Sequence, residues 1–262
     1  MEPAVSVVVI NYNNEQYLTT SLGALAHVEG VREVIVVDDA STDNSLKILK
    51  SFGVTIVRNE KNDGPVRSRN IGARLARGEY ILFLDSDAAL ASDYAASIVG
   101  FLEKHPKVGV ASGKIVGDDG KRMWFNFGND PAPLPDWMQG VVDAAMLKSA
   151  NHPTLRSIVG FLGRPFTLNF VPDEIRKVDW VVEMAFVTRR DLFESLGGLD
   201  EHLYMFFEGP DYCRRVRQAS YEVYYFPSAV CRHLGGHSHS KNRQRFFTES
   251  RRYYLKKYSH ER

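Results

Sequence analysis

The sequence predicts an α/β protein: a mainly parallel sheet flanked by helices, then a less regular region and a C-terminal helix. Three observations carry this expectation. Short β-branched runs alternate with stretches whose apolar residues recur at helical spacing. Polar clusters stand directly after three of the runs, Asn11-Tyr12-Asn13, Asp38-Asp39 and Asp85-Ser86-Asp87. No apolar run approaches the ~20 residues that a bilayer-spanning helix requires.

Residues 5–10 read as a buried strand, and Tyr17, Leu18, Leu22 and Leu25 then recur at helical spacing. A second strand at 34–37 stops at Asp38-Asp39. Leu46, Ile48, Leu49 and Phe52 mark a second helix, with Ser41 or Thr42 positioned to cap it and Asp43 in its first turn. Strands at 54–57 and 80–84 enclose a helix over 68–77, and another helix covers 93–104. The segment from 118 to 173 carries six prolines and predicts loops and short helices. Beyond it, 178–187 reads as a strand and 189–196 as a helix ended by Gly197-Gly198. A helix at 211–218 and a strand at 223–226 follow. This alternation implies right-handed crossovers and helices on both sheet faces. Ligands of such sheets bind beyond the carboxyl ends of the strands, which sets the three polar clusters along one rim.

The chain of 262 residues, 44% hydrophobic and 25% charged, is read as one domain. Lys+Arg total 33 against 32 Asp+Glu, a balance that argues against a nucleic-acid partner. Two cysteines, Cys213 and Cys231, exclude a disulfide framework and favour a reducing compartment, so a cytoplasmic location is expected. No basic stretch precedes the first apolar run, so no signal peptide is expected. No P-loop and no G-x-G occur, so any bound phosphate must be met by a cation or by Arg and Lys side chains.

Several clusters suit chemistry. Asp85-Ser86-Asp87 offers hard oxygen ligands for Mg²⁺ or Mn²⁺, or else a solvated turn. Asp38-Asp39 would accept from a ribose hydroxyl or a pyrimidine N–H, or cap a helix. Among His233, His237 and His239, one imidazole would complete a metal shell, although a hydrogen-bonded structural role is commoner for any single histidine. Zinc is disfavoured because no second ligand cluster has the spacing. Glu208-Gly209-Pro210-Asp211 brings two carboxylates to a helix start, as general base or as helix-terminus electrostatics.

Taken together, the following pieces resemble family 2 glycosyltransferases of the GT-A fold over nearly the whole chain. They are Val-Val-Ile-Asn-Tyr-Asn (8–13), Val-Val-Asp-Asp-Ala-Ser-Thr-Asp (36–43), Gly-Pro-Val-Arg-Ser-Arg-Asn-Ile-Gly (64–72) and Gly-Glu-Tyr-Ile-Leu-Phe-Leu-Asp-Ser-Asp (78–87). Val-Asp-Trp-Val-Val (178–182), Arg-Arg-Asp-Leu-Phe-Glu-Ser-Leu-Gly-Gly-Leu-Asp-Glu (189–201) and His-Leu-Gly-Gly-His-Ser (233–238) complete the set. The later pieces look most like the bacterial branch that includes rhamnosyltransferases. The resemblance implies a Rossmann-like nucleotide-sugar half over about 1–117, an acceptor and catalytic half over about 118–240, and a basic aromatic helix over about 241–262. It implies inverting transfer of a sugar from a UDP- or dTDP-sugar to an acceptor hydroxyl, in cell-surface polysaccharide or glycolipid assembly. Carried over by position, Tyr12 would stack on the base, the backbone near Ile10 would contact it, and Asp39 would take its N–H. Arg69 would lie against the nucleotide, and Asp85 with Ser86 near the ribose. Asp87 and His233 would hold Mg²⁺ or Mn²⁺, and Trp180 would wall the acceptor side.

One position departs from the family pattern. The family's Glu-Asp-x-Asp carries its usual base at the second place, where this chain has Gly209. Glu208 or Asp211 would then serve as base, with Glu208 favoured, or Glu183 would, or the chain binds donor and transfers poorly. A sugar nucleotidyltransferase is the weaker enzyme alternative, because Asn11-Tyr12-Asn13-Asn14 stands where that class needs a Gly-rich loop. The tail, with seven Lys and Arg between 241 and 258 and five interleaved aromatics, is suited to docking on the core and, compatibly with that, to lying on an anionic membrane beside a lipid-linked acceptor.

Overall fold

The computed structural model describes residues 5–123, 126–130, 173–235 and 242–260. Most of the proline-rich segment, with its expected loops and short helices, and His237 and His239 lie outside the described residues. The first half runs β1 (Val5–Asn11), α1 (Glu15–Leu25), β2 (Val31–Asp38), α2 (Ser45–Leu49), β3 (Thr55–Arg58), α3 (Pro65–Ala73) and β4 (Tyr80–Asp85). It continues with β5 (Ala88–Leu90), α4 (Tyr94–Lys104), β6 (Val108–Val116) and β7 (Phe127–Gly128). The second half contributes β8 (Arg176–Lys177), β9 (Trp180–Val181), a 3₁₀ turn (Glu183–Ala185), β10 (Phe186–Arg189) and α5 (Arg190–Ser195). It closes with α6 (Glu208–Gln218), β11 (Glu222–His233) and α7 (Arg243–Lys257).

The main sheet has the order β3-β2-β1-β4-β10-β6-β11-β5, with β8 added on β11. Strands β3, β2, β1 and β4 are mutually parallel, as the β-α-β alternation predicts. β1 is central, so every one of its residues is buried, which explains its unbroken Val and Ile run. The second half is mixed: β10 runs antiparallel to both β4 and β6, and β11 is parallel to β6.

Two apolar layers cover the sheet. One joins Leu18, Leu22 and Leu25 of α1 with Tyr94, Ile98 and Leu102 of α4. The other joins Val66 of α3, Phe193 of α5, Tyr212 and Val216 of α6, and Tyr254 of α7. Gly72 lets α3 lie close on the sheet, because a Cβ there would meet Val8 Cγ1 at 2.3 Å.

Three expectations need correction. The single strand read at 178–187 is two strands in different sheets, β9 pairing with β7 and β10 inserting in the main sheet, with the 3₁₀ turn between them. Strand 223–226 extends to His233 because the register shifts between Phe226 and Val230, a bulge that absorbs Pro227 and its missing N–H. Ser41 and Thr42 do not cap α2. Asp43 does the local work, its Oδ1 accepting from the Ser45 amide (3.0 Å) and its Oδ2 from the Glu15 amide (3.0 Å). Four strands have no counterpart in the sequence reading: β5, β6, β7 and β8.

Candidate active site

The rim is built where β1, β2 and β4 end. Asn11 lies beside Asp38, and Ile10 beside Asp85, in the parallel registers. Asp38 is spent on the turn, accepting from Asn11 Nδ2 (2.9 Å) and the Ser41 amide (3.1 Å). Asp39 is buried, and its Oδ1 accepts from Asn59 Nδ2 (2.7 Å) and the Asp63 amide (2.9 Å). Among the described residues its Oδ2 accepts from the Gly64 amide alone (2.9 Å), so that oxygen keeps lone-pair capacity for a ligand donor. Gly64 sits at φ +88°, and the Tyr204 ring fills the place a Cβ would need (2.6 Å). Burial, then the nearby Asp39, Tyr12 and Asp63, push the Tyr204 hydroxyl up, which sets these side chains in one neighbourhood. Tyr12 is 47% exposed, an open aromatic face at the rim. The Ile10 carbonyl is already used by the Ser86 amide (3.1 Å), and Ser86 Oγ accepts from Asn14 Nδ2 (2.9 Å). Ile10 and Ser86 therefore brace the rim.

Asp87 and His233 meet despite their distance in sequence. β5 pairs antiparallel with the end of β11, Ala88 opposite His233, and the Leu234 amide donates to the Asp87 carbonyl (2.7 Å). Asp87 Oδ2 lies 3.6 Å from His233 Nε2, and both side chains are largely buried. Burial, and then the Asp85 carboxylate, push the Asp87 carboxyl up to about 7, a sign of negative charge without enough positive charge beside it. One carboxylate and one imidazole suit a borderline-to-hard divalent ion such as Mn²⁺. Among the described residues no group of three or more His, Cys, Asp or Glu is assembled for a metal. Asp87 Oδ2 and His233 Nε2 are the two side-chain donors that would hold such an ion.

Arg69 of α3 links the end of β4 to the start of α6. It is 2% exposed, and it donates from Nη2 to Asp85 Oδ1 (2.7 Å) and from Nη1 to Glu208 Oε1 (3.1 Å). Burial opposes its charge, but Asp85, Glu183 and Glu208 outweigh burial and hold the guanidinium protonated. Glu208 is itself 2% exposed, and its Oε2 is sealed without a hydrogen-bond donor. Burial, then Glu208, push Glu183 up to about 8. Glu208 is also raised, burial first, and Glu183 is a hydrogen-bonding neighbour that opposes the rise.

The approach to Glu208 is strained. Phe206 (φ +70°) and Phe207 (φ +65°) are consecutive left-handed aromatics, each costing on the order of 1–3 kcal/mol. α7 holds them: Phe247 packs on both rings, Tyr254 packs on Phe207, and Ser250 Oγ donates to the Met205 carbonyl (2.8 Å). The tail's aromatic side chains thus pack against the core, as the docking reading expects.

Two expected site residues have other employment. Asp211 is fully buried, accepting from Lys257 Nζ (2.7 Å) and Tyr258 Oη (2.8 Å) on one oxygen and Arg215 Nε (2.9 Å) on the other. It ties α7 to α6 and has no room to act as a base. Trp180 is buried, its ring over Gly128 and its Nε1 donating to the Asn129 carbonyl (2.7 Å), so packing in the second half holds it in place. Asn59 and Tyr204 complete the neighbourhood of Asp39, and no pattern in the sequence marks either of them.

A parallel nucleotide-type half joined to a mixed half, with carboxylates at adjacent strand tips, defines the GT-A class. Residues 6–146 match the family model of Glycosyl transferase family 2, and the chain belongs to that family. Among similar proteins, an uncharacterized glycosyltransferase of Haemophilus influenzae is 34% identical over 106 residues, covering 40% of this chain and 36% of that protein. The poly(ribitol-phosphate) β-N-acetylglucosaminyltransferase TarS of Staphylococcus aureus is 35% identical over 108 residues, 38% of this chain and 19% of TarS. The chain thus spans well under half the length of these curated relatives. A mannosyltransferase of Pyrobaculum calidifontis, solved with GDP-Man and Mn²⁺, superposes with TM-score 0.61 at 20% identity, covering 91% of this chain and 59% of that one. The S. aureus TarS 1–349 structure with UDP-GlcNAc superposes with TM-score 0.57 at 20% identity, covering 91% and 61%.

Proposed function

We propose that this chain transfers a hexosyl or deoxyhexosyl group, with inversion, from a nucleotide-diphosphate sugar to a hydroxyl of a saccharide or lipid-linked saccharide. The reading extends to cell-surface polysaccharide or glycolipid assembly, as the name of TarS suggests by analogy. The single observation that carries it is the Asp87–His233 pair at 3.6 Å on the rim that also holds Asp39. Strands β2 and β4 flank β1, so Asp39 and Asp85 stand roughly 10 Å apart, two strand spacings. That span suits a nucleotide whose base lies at Asp39 and Tyr12 and whose diphosphate lies near Asp87.

In this reading Asp39 Oδ2 accepts the base N–H, Tyr12 stacks on the base, and Asp85 faces the ribose. Asp87 and His233 hold Mn²⁺ or Mg²⁺, which supplies charge to the departing diphosphate when bound. Arg69 keeps Asp85 and Glu208 in register and adds fixed positive charge nearby. The rim's convergence aligns donor and acceptor, an effect worth on the order of 7–11 kcal/mol for ideal positioning. UDP- and dTDP-sugars are the favoured donors, and a rhamnosyltransferase-like donor is the narrower reading.

A donor-binding protein that has lost its base is the second reading, motivated by Gly209. A cytoplasmic site of action is proposed, with Arg243, Arg245, Arg252 and Lys256, all exposed, as the groups available to anionic headgroups at the inner membrane face. Among the described residues no helix is long and apolar enough to cross a membrane.

The test is a thermal-shift screen of nucleotide-sugars with and without Mn²⁺. A ligand at 100 times its Kd raises stability by about 2.7 kcal/mol. The expected result is a Mn²⁺-dependent rise for one donor class, abolished in Asp87→Ala. A full rise in that variant removes the metal role of Asp87.

A further inference from the structure

The second position of the family's acidic motif is glycine here, and the space beside it is filled. A Cβ built on Gly209 would lie 2.5 Å from Glu183 Oε2 and 2.9 Å from the Val181 carbonyl. Positions 183 and 209 therefore compete for one volume, and a carboxylate already occupies it. It is delivered from the 3₁₀ turn that follows β9 and leads into β10, the strand paired with β4.

We propose that Glu183 is the general base of the transfer, its carboxylate replacing the one that a side chain at position 209 would carry. The proposal rests on the glycosyl-transfer reading above. Geometry separates Glu183 from its neighbours. Glu208 is sealed, with Oε1 committed to Arg69, and Asp211 has both oxygens engaged. Glu183 is the partly exposed member of the carboxyl pair. The charged and titratable groups facing it are Glu208, Arg69 and Asp85, with the buried Cys213 thiol nearby. Burial and Glu208 bring its proton affinity into the range where a base works at near-neutral to mildly alkaline pH.

The step balances without any further reagent. The Glu183 carboxylate takes the proton of the acceptor hydroxyl. That oxygen forms a bond to the anomeric carbon from the face opposite the leaving group. The bond from that carbon to the diphosphate oxygen breaks, and its electron pair leaves with the diphosphate. Glu208 and Arg69 act as positioning residues for the carboxylate.

The experiment measures nucleotide release from UDP-GlcNAc, UDP-glucose, a dTDP-sugar and GDP-mannose with Mn²⁺, using water and simple glycosides as acceptors. Donor binding is followed in parallel by thermal shift. Glu183→Gln is expected to keep the donor-induced shift, to lower kcat by about 10²–10⁴-fold, and to lose the rise of rate with pH. Gly209→Asp alone is expected to lower Tm, because its side chain overlaps Glu183. The double variant Glu183→Ala with Gly209→Asp moves the carboxylate across and is expected to regain at least tenfold over Glu183→Ala. That comparison stands even where Glu183→Gln folds poorly. Retention of kcat within threefold and of the pH profile in Glu183→Gln overturns the proposal, as does a double variant that matches Glu183→Ala in Tm, so that the Val181 carbonyl 2.9 Å from a Cβ at 209 is accommodated, and is no faster than it. A wild type that binds a donor but releases no nucleotide also overturns it, and favours the donor-binding protein. A wild type that binds no donor refutes the glycosyl-transfer reading itself.

Discussion

The Glu183–Glu208 pair has a consequence for stability as well as for chemistry. Glu183 is raised from 4.5 to about 8, burial first and Glu208 second. A carboxyl whose folded value is raised stabilises the fold while protonated. Its contribution is complete below the free value and is lost as pH climbs through the folded value. Tm of the wild type is therefore expected to fall between about pH 5 and 9. Glu183→Gln cannot ionise, so its Tm profile should be flatter and should cross above the wild type on the alkaline side. Parallel scans of both proteins from pH 5 to 9 check this. The side chain that gives the site its proton acceptor thus works against the fold at the pH where it is most active.

Among the elements, α7 and β5 decide how the site is held. α7 braces the strained Phe206–Phe207 turn and anchors itself through Lys257, whose Nζ reaches Asp200 (2.7 Å) and Asp211 (2.7 Å). Lys257→Ala leaves buried Asp211 with Arg215 and Tyr258 only, a loss of about 1–3 kcal/mol readable by urea unfolding. Because the same helix presses on Phe207, donor turnover should fall further than stability alone accounts for. β5, three residues long, pins Ala88 opposite His233. The carboxylates at strand tips were legible in the sequence because each follows an apolar run that must stop. The meeting of Asp87 with His233 was implied only by family resemblance. A three-residue strand carries no periodicity, and its partner lies far along the chain. Tyr204 and Asn59 were illegible for a related reason: their roles come from packing around Gly64 and Asp39, not from any local pattern.

At the scale of the whole molecule, the parallel half was readable and the mixed half was not. β1 to β4 alternate with helices, and the right-handed crossover rule leaves few other arrangements. β6, with Gly109 near its start and Gly113 in its middle, lacks the continuous β-branched signature, yet both glycines sit in tight places. A Cβ at Gly113 would meet the Ala229 carbonyl at 2.3 Å, and one at Gly109 would meet Leu192 Cδ2 at 2.6 Å. β10 reverses direction between β4 and β6, and so brings the turn carrying Glu183 against the start of α6.

That contact binds together the histories of the codons for positions 183 and 209. Neither position 183 nor 209 is free to drift singly: enlarging one without shrinking the other creates a collision, and shrinking one alone removes an acid. Homologous chains that regain a side chain at the place of Gly209 are expected to carry a small residue at the place of Glu183, and an aligned set of such chains would display the two as a covarying pair.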